Sequence, residues 1–290
     1  MEPTRTVRSD SPDNDSFFRD TFFRRFALRP HTLELEGGVT KTYPFPTFYA
    51  DVGCSIGIFF CDYAAAERLM PHPLIKPVRM PRGRTLVIFS CYEYRHVMRV
   101  WPYNEIAMSI PVMANASFSP PVLPMLVSDA FKRFGYYVFG MPVTSRENQL
   151  RGNKLWGLPK LTQAIDIAST NGVCTTVAKG DDGAPYFTLR VPTSGKATLF
   201  DVRGHLYSKL DDRILKARTC FFGRFNVTKY MRTLLAPNSP SPRQWLELGA
   251  GKDAETLRSL RIEPHPFQFR YAQSMSACFD LPIDGFDIGQ

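Results

Sequence analysis

A mainly β, antiparallel fold of sandwich or barrel type, fringed by short helices, is what this sequence predicts, on three observations. Segment after segment is β-branched or aromatic and ends at Gly, Pro, Asn or Asp. Asn171-Gly172 makes a two-residue hairpin turn between two such segments, and Asp181-Asp182-Gly183 makes the next tight connection. Helical spacing is confined to a few short stretches, unlike the long helices that cross over between parallel strands.

Residues 1–16 hold Ser, Asp, Pro, Asn and Arg with almost nothing apolar to bury, which predicts a disordered arm ahead of a single domain over 17–290. Order is expected from Phe17, where phenylalanines at 17, 18, 22, 23 and 26 approach helical spacing and predict a short amphipathic helix docking on the body or on a partner subunit. Gly57–Phe60 reads as a strand. Asp62–Met70 reads as a helix, capped by Asp62 and stopped by Pro71. Strands follow over Thr85–Tyr94 and Ile106–Val112, a helix over Ser128–Phe134, and strands over Tyr136–Phe139, Gln163–Ser169, Val173–Ala178 and Tyr186–Val191. Two last helices are expected over Arg243–Leu248 and Ala254–Leu260. The 24 prolines, many near segment ends, suit chain reversals between strands.

At 290 residues and 44% hydrophobic content the chain can bury a sizeable core. No apolar run approaches the roughly 18 residues of a membrane span, and Met1–Ser16 lacks the apolar stretch of a secretory signal, so a cytoplasmic protein with no membrane partner is expected. Six scattered cysteines show neither ligand spacing nor a disulfide framework, which leaves buried thiols and no metal. The net charge of +9 is spread thinly from Arg5 to Arg270, without the concentrated stripe that nucleic acid demands.

The run Gly152-Asn153-Lys154-Leu155-Trp156-Gly157-Leu158-Pro159-Lys160-Leu161 places a lysine directly behind a proline and among apolar neighbours. An amine so held has a fixed approach and a poor solvent shell, which favours its neutral, nucleophilic form. Upstream, Trp101-Pro102-Tyr103-Asn104-Glu105 leads into the apolar segment Ile106–Val112. The two runs in this order resemble the acetoacetate decarboxylase family, over roughly residues 45 to 275. Gly152, Trp156, Gly157, Pro159 and Lys160 match its lysine motif. Asn153-Lys154 stand where the family has Arg-Glu, Leu161 stands where it has a second lysine, and its early arginine falls near Val52 with no arginine close by.

The resemblance implies a cone-shaped β-barrel and a cofactor-free lyase acting on a small keto acid, with Lys160 as the Schiff-base lysine and Glu105 as the proton-transfer carboxylate. At an ordinary pKa near 10.4, less than about one lysine in a thousand is neutral at pH 7, so that role requires a large downward shift. In acetoacetate decarboxylase itself, desolvation or a neighbouring cation supplies it. Leu161 removes the second cation. If residues 160 and 161 run extended, however, that charge would have stood on the opposite face. Tyr103, Trp156, Leu158 and Leu161 are the expected substrate-contacting residues, and Glu93 is a weaker carboxylate candidate. The runner-up reading has the same iminium serve aldol, dehydration or cyclisation chemistry, and a third makes the barrel a non-catalytic binder of lipophilic ligands. A homo-oligomer is compatible with all three.

Overall fold

The computed structural model describes residues 1–8, 15–116, 120–126 and 131–287. In chain order the first strands are β1 (Arg29–Glu34), β2 (Thr40–Phe45), β3 (Thr47–Asp62), β4 (Lys76–Pro77), β5 (Arg84–Val97), β6 (Tyr103–Met113), β7 (Phe134–Val143) and β8 (Lys160–Thr162). They are followed by β9 (Ala164–Thr170), β10 (Val173–Lys179), β11 (Pro185–Pro192), β12 (Lys196–Leu210), β13 (Arg213–Lys229), β14 (Leu246–Leu248) and β15 (Pro266–Asp287). The helices are α1 (Tyr63–Arg68), α2 (Leu123–Leu126), α3 (Arg146–Trp156) and α4 (Glu255–Ser259).

Seven strands close into a barrel in the order β6-β5-β3-β15-β13-β12-β7, and β7 returns to pair with β6. Pairing is antiparallel except at two seams, where Leu206 of β12 lies beside Tyr136 and Lys160 of β8 lies beside Met141 in parallel register. A second antiparallel sheet, β14-β11-β10-β9, lies against the outside of β3 and β5. The Phe89 and Phe187 rings meet at 5.1 Å in this layer. β5 is therefore buried on both faces. Val87, Phe89 and Cys91 join the core shared with the outer sheet, while Ile88, Ser90, Tyr92 and Tyr94 face the barrel interior. That is why Leu86–Phe89 reads as an unbroken apolar run rather than an alternating one.

The expected hairpin turn at Asn171-Gly172 is present, with both residues at positive φ between β9 and β10. Asp62 caps α1 by accepting from the Ala65 amide at 2.7 Å. The phenylalanine segment forms two single 3-10 turns, Asp15–Arg19 and Phe23–Arg25, rather than one helix. Its rings pack on Phe48 as a docking face should.

Other expectations change. Of the expected helix over Ser128–Phe134, residues 128–130 lie outside the described residues, and Phe134 already belongs to β7. Arg243–Leu248 is not helical: Leu246–Leu248 pairs with β11, which supplies partners that a lone helical turn would lack. The strands β12, β13 and β15 were not foreseen: exposed charged residues on β12 and β13 mask the alternation, and β15 shifts register repeatedly along both of its neighbours. Of the expected arm, residues 9–14 lie outside the described residues. Residues 1–8 lie along the body through polar contacts: the Met1 amine donates to the Ile165 carbonyl, and the Thr4 amide donates to the Thr144 carbonyl. Among the described residues no helix is long and apolar enough to cross a membrane.

Candidate active site

Lys160 is positioned by the way α3 ends. Ser145 opens that helix by accepting from the Asn148 amide, and Gly157 closes it in the left-handed conformation, φ 59°. A side chain at Gly157 would also collide with the Lys209 carbonyl, so glycine is required there by space as well as by φ. Pro159 then prevents the helix from continuing, and the chain enters β8 beside the end of β7. The Lys160 stem lies directly on Gly152, one turn back in α3, where any Cβ would strike it.

Glu105 comes from β6, whose residues 105, 107 and 109 face the barrel interior in strand alternation. Lys160 Nζ meets Glu105 Oε2 at 2.5 Å, with the two side chains only 8% and 6% exposed. Tyr94 Oη donates to the other carboxylate oxygen at 3.3 Å. Both charged groups line a cavity of about 180 Å³ in the barrel interior, walled mainly by apolar side chains such as Ile56, Ile88, Val138, Leu206 and Phe221.

Burial pulls the Lys160 pKa below the ordinary lysine value, Glu105 opposes that shift, and the nearby Arg151 guanidinium adds to it. Arg151 is fully buried on α3, lies 4.2 Å over the Tyr43 ring, and donates to Asn148 and Thr47. Burial pushes the Tyr49 hydroxyl up to about 12, and those of Tyr92, Tyr94 and Tyr103 well above the ordinary tyrosine value. These hydroxyls therefore act as neutral donors at working pH. Among the described residues no group of His, Cys, Asp and Glu is arranged to hold a metal ion, and all six cysteines are buried free thiols.

Of the residues singled out by sequence, Lys160, Glu105 and Leu158 line the cavity. Tyr103, Trp156, Leu161 and Glu93 do not. Tyr103 points the same way as Glu105 but lies one layer beyond it, its ring 4.7 Å from that of Tyr94. Trp156 is likewise one layer back, stacked on Phe279 and donating its Nε1 hydrogen to the Asp280 carbonyl at 2.8 Å. Leu161 is 51% exposed, on the face opposite Lys160, as strand alternation requires. Glu93 sits on the outer face of β5 and pairs with Arg95 at 2.6 Å.

Two cations were missed. Arg151 immediately precedes the lysine motif but carries no signal of burial in sequence. Arg270, on β15, lines the cavity and reads in sequence as one more scattered surface charge.

The family described as acetoacetate decarboxylase (ADC) matches residues 34–209, which include Glu105 and Lys160 and exclude Arg270. No curated protein sequence matches the chain. Among solved structures, an acetoacetate decarboxylase from Legionella pneumophila subsp. pneumophila str. Philadelphia 1 is similar, at 11% identity and TM-score 0.56 over 83% of this chain and 88% of that one. The enduracididine biosynthesis enzyme MppR, complexed with pyruvate, is similar at 12% identity and TM-score 0.55, over 84% of this chain and 91% of that one. An acetoacetate decarboxylase-like enzyme from Sphingomonas wittichii RW1 reaches 15% identity and TM-score 0.50, over 82% and 92%. At these identities the likeness is one of fold.

Proposed function

Since the chain belongs to the acetoacetate decarboxylase family, we propose that it is a lyase-type enzyme forming a Schiff base between Lys160 and the carbonyl of a small keto acid. The observation that carries this reading is the buried 2.5 Å contact between Lys160 and Glu105 at the wall of a mainly apolar cavity. Glu105 accepts the proton that the amine must shed before it attacks the carbonyl carbon. Loss of water then gives an iminium ion, which draws in the electron pair released when a bond next to the former carbonyl breaks. In decarboxylation that bond joins the α-carbon to the carboxyl group, carbon dioxide leaves, and a proton returns to the α-carbon from Glu105 or a tyrosine hydroxyl.

A second reading keeps the same iminium and replaces loss of carbon dioxide by α-proton removal, leading to aldol, dehydration or cyclisation chemistry. The pyruvate bound by the MppR neighbour favours giving it equal standing.

The test is borohydride reduction in the presence of acetoacetate, pyruvate or acetone, followed by peptide mass mapping. A reduced adduct is expected on Lys160, with a pH midpoint below that of an ordinary lysine because burial lowers its pKa. Carbon dioxide release and product mass then separate the two branches. Labelling spread over Lys154 and Lys179, or none with any carbonyl, rejects the mechanism and leaves a ligand-binding barrel.

A further inference from the structure

We propose that Arg270 is the anion-binding residue of the cavity, and that it selects carbonyl compounds carrying a single carboxylate. The inference rests on the keto-acid reading above and goes beyond it by naming the group that recognises the acid. Three of the residues lining the cavity are charged: Glu105, Lys160 and Arg270. Glu105 and Lys160 neutralise one another at 2.5 Å. Arg270 is left over, and among the described residues no carboxylate lies within ion-pair distance of it.

What surrounds the guanidinium orients it without balancing its charge. Nη2 donates to Gln268 Oε1 at 3.1 Å, the Phe200 ring centre lies 5.0 Å from the guanidinium carbon, and Nε is buried without an acceptor. Phe200, Tyr136 and Cys54, the groups nearest to it in packing or electrostatics, all line the cavity as well. Removal from water pulls the Arg270 pKa below the ordinary arginine value. Arg270 is part-buried, and a cation partly withdrawn from water and left without a counter-charge is costly in a folded protein. An anion delivered with the ligand would remove that cost, and one surplus positive charge matches one carboxylate better than a dianionic phosphate.

Register places this cation at a useful position. In one row across the sheet, Glu105 pairs with Tyr92, Tyr92 with Cys54, and Cys54 with Ala272. In the next, Ala107 pairs with Ser90, Ser90 with Ile56, and Ile56 with Arg270. Arg270 therefore stands three strands round a seven-strand barrel from Glu105, on the facing wall, and about 7 Å further along the strand direction, two residues' rise. A carboxylate bound at Arg270 therefore holds its ligand in the same cavity that Lys160 and Glu105 line. The family's early arginine is missing near Val52, and β15 supplies a cation to the same interior from a different strand.

The experiment compares anionic and neutral carbonyl compounds in wild type, Arg270→Gln and Arg270→Lys, with melting curves confirming that each variant folds. Calorimetry with pyruvate reads anion binding whether or not an imine forms, and borohydride trapping with acetone reads Lys160 without a carboxylate. Arg270→Gln is expected to weaken pyruvate binding roughly 10- to 100-fold, the range for losing a charge-assisted hydrogen-bonded contact, while acetone trapping changes less than about 3-fold. Arg270→Lys is expected to recover part of the affinity. Pyruvate affinity unchanged in Arg270→Gln, no pyruvate binding in the wild type, or an equal loss for acetone overturns the proposal. A loss of pyruvate affinity in Arg270→Gln with no imine trapped from any carbonyl rejects the Schiff-base reading and keeps the anion site.

Discussion

Two buried lysine–glutamate pairs lie at opposite ends of α3's surroundings, and they differ in what else touches them. Lys160 and Glu105 are 2.5 Å apart, Lys41 and Glu147 are 3.2 Å apart, and all four side chains are less than a tenth exposed. Lys41 also donates to the Arg8 carbonyl, and Tyr43 Oη donates to the second oxygen of Glu147 at 2.7 Å, so that pair is stitched into the β2–α3 contact and the arm. Lys160 is held through Glu105 and otherwise faces the cavity, its nitrogen 6.0 Å from the Tyr103 ring centre. A buried ion pair is weak evidence of catalysis by itself, since many only fix packing. Donor capacity left open toward a mainly apolar cavity is what marks the first pair as chemical.

The widest separation between the pairs is expected from removing the lysines. Lys160→Ala should abolish imine trapping and lower turnover of any detected reaction by at least about 10³-fold, whereas Lys41→Ala should leave trapping intact and cost roughly 3 to 5 kcal/mol of stability by stranding Glu147. Loss of trapping in a folded Lys41→Ala protein would erase the distinction. The carboxylates sharpen it further. Glu105→Gln should lower turnover by roughly 10²-fold or more. It should also move the trapping midpoint of Lys160 downward, because Glu105 is the group that holds that pKa up. Slower turnover with easier deprotonation of the lysine is a pairing that a merely structural carboxylate would not produce.

A smaller effect is expected at Gly152. A methyl group there strikes the flexible Lys160 stem rather than backbone, so Gly152→Ala should be tolerated by the fold. Alanine is also the better helix former by about 0.5–1 kcal/mol in the middle of α3. Turnover should nevertheless fall about 10- to 100-fold, since a displacement near 1 Å at a reacting group has that consequence. A variant both more stable and fully active would show that Lys160's placement is not set by α3.

How far all this was legible in sequence follows from which signals are local. The Trp-Gly-Leu-Pro-Lys run and the Asn171-Gly172 turn act through backbone chemistry of a few residues, and both were readable. Leu158 came with the first of these, and Glu105 came with the separate Trp101-Pro102-Tyr103-Asn104-Glu105 run and the resemblance it carries. The long strands β12, β13 and β15 were not readable: β12 and β13 carry exposed charges that break the apolar pattern, and β15 shifts register three times along its pairing with β3. Trp156 and Tyr103 were placed in the cavity because aromatic type and motif position cannot tell a wall from the layer behind it. Arg151 and Arg270 were invisible for the converse reason. Burial of a cation is decided by tertiary partners, here Tyr43 and Phe200, that are distant in sequence.

The smallest expected effect belongs to Leu161→Lys, which restores the family's second lysine. β8 carries residues 160 and 161 on opposite faces, and Leu161 already stands 51% exposed, so a new ammonium can extend into water without displacing a neighbour. Stability should change by no more than about 0.5 kcal/mol, as for an ordinary surface substitution. The new charge is separated from Lys160 Nζ by the backbone and screened by solvent, whereas the Lys160 pKa is lowered chiefly by burial with Arg151 adding to it. The trapping midpoint of Lys160 should therefore move by less than about 0.3 pH units on titration between pH 6 and pH 11. A fall of a full unit, or decarboxylase activity gained in this variant alone, would show that the adjacent charge acts through the strand and that facing, the basis of the contrast between the two lysine pairs, is not what tunes the amine.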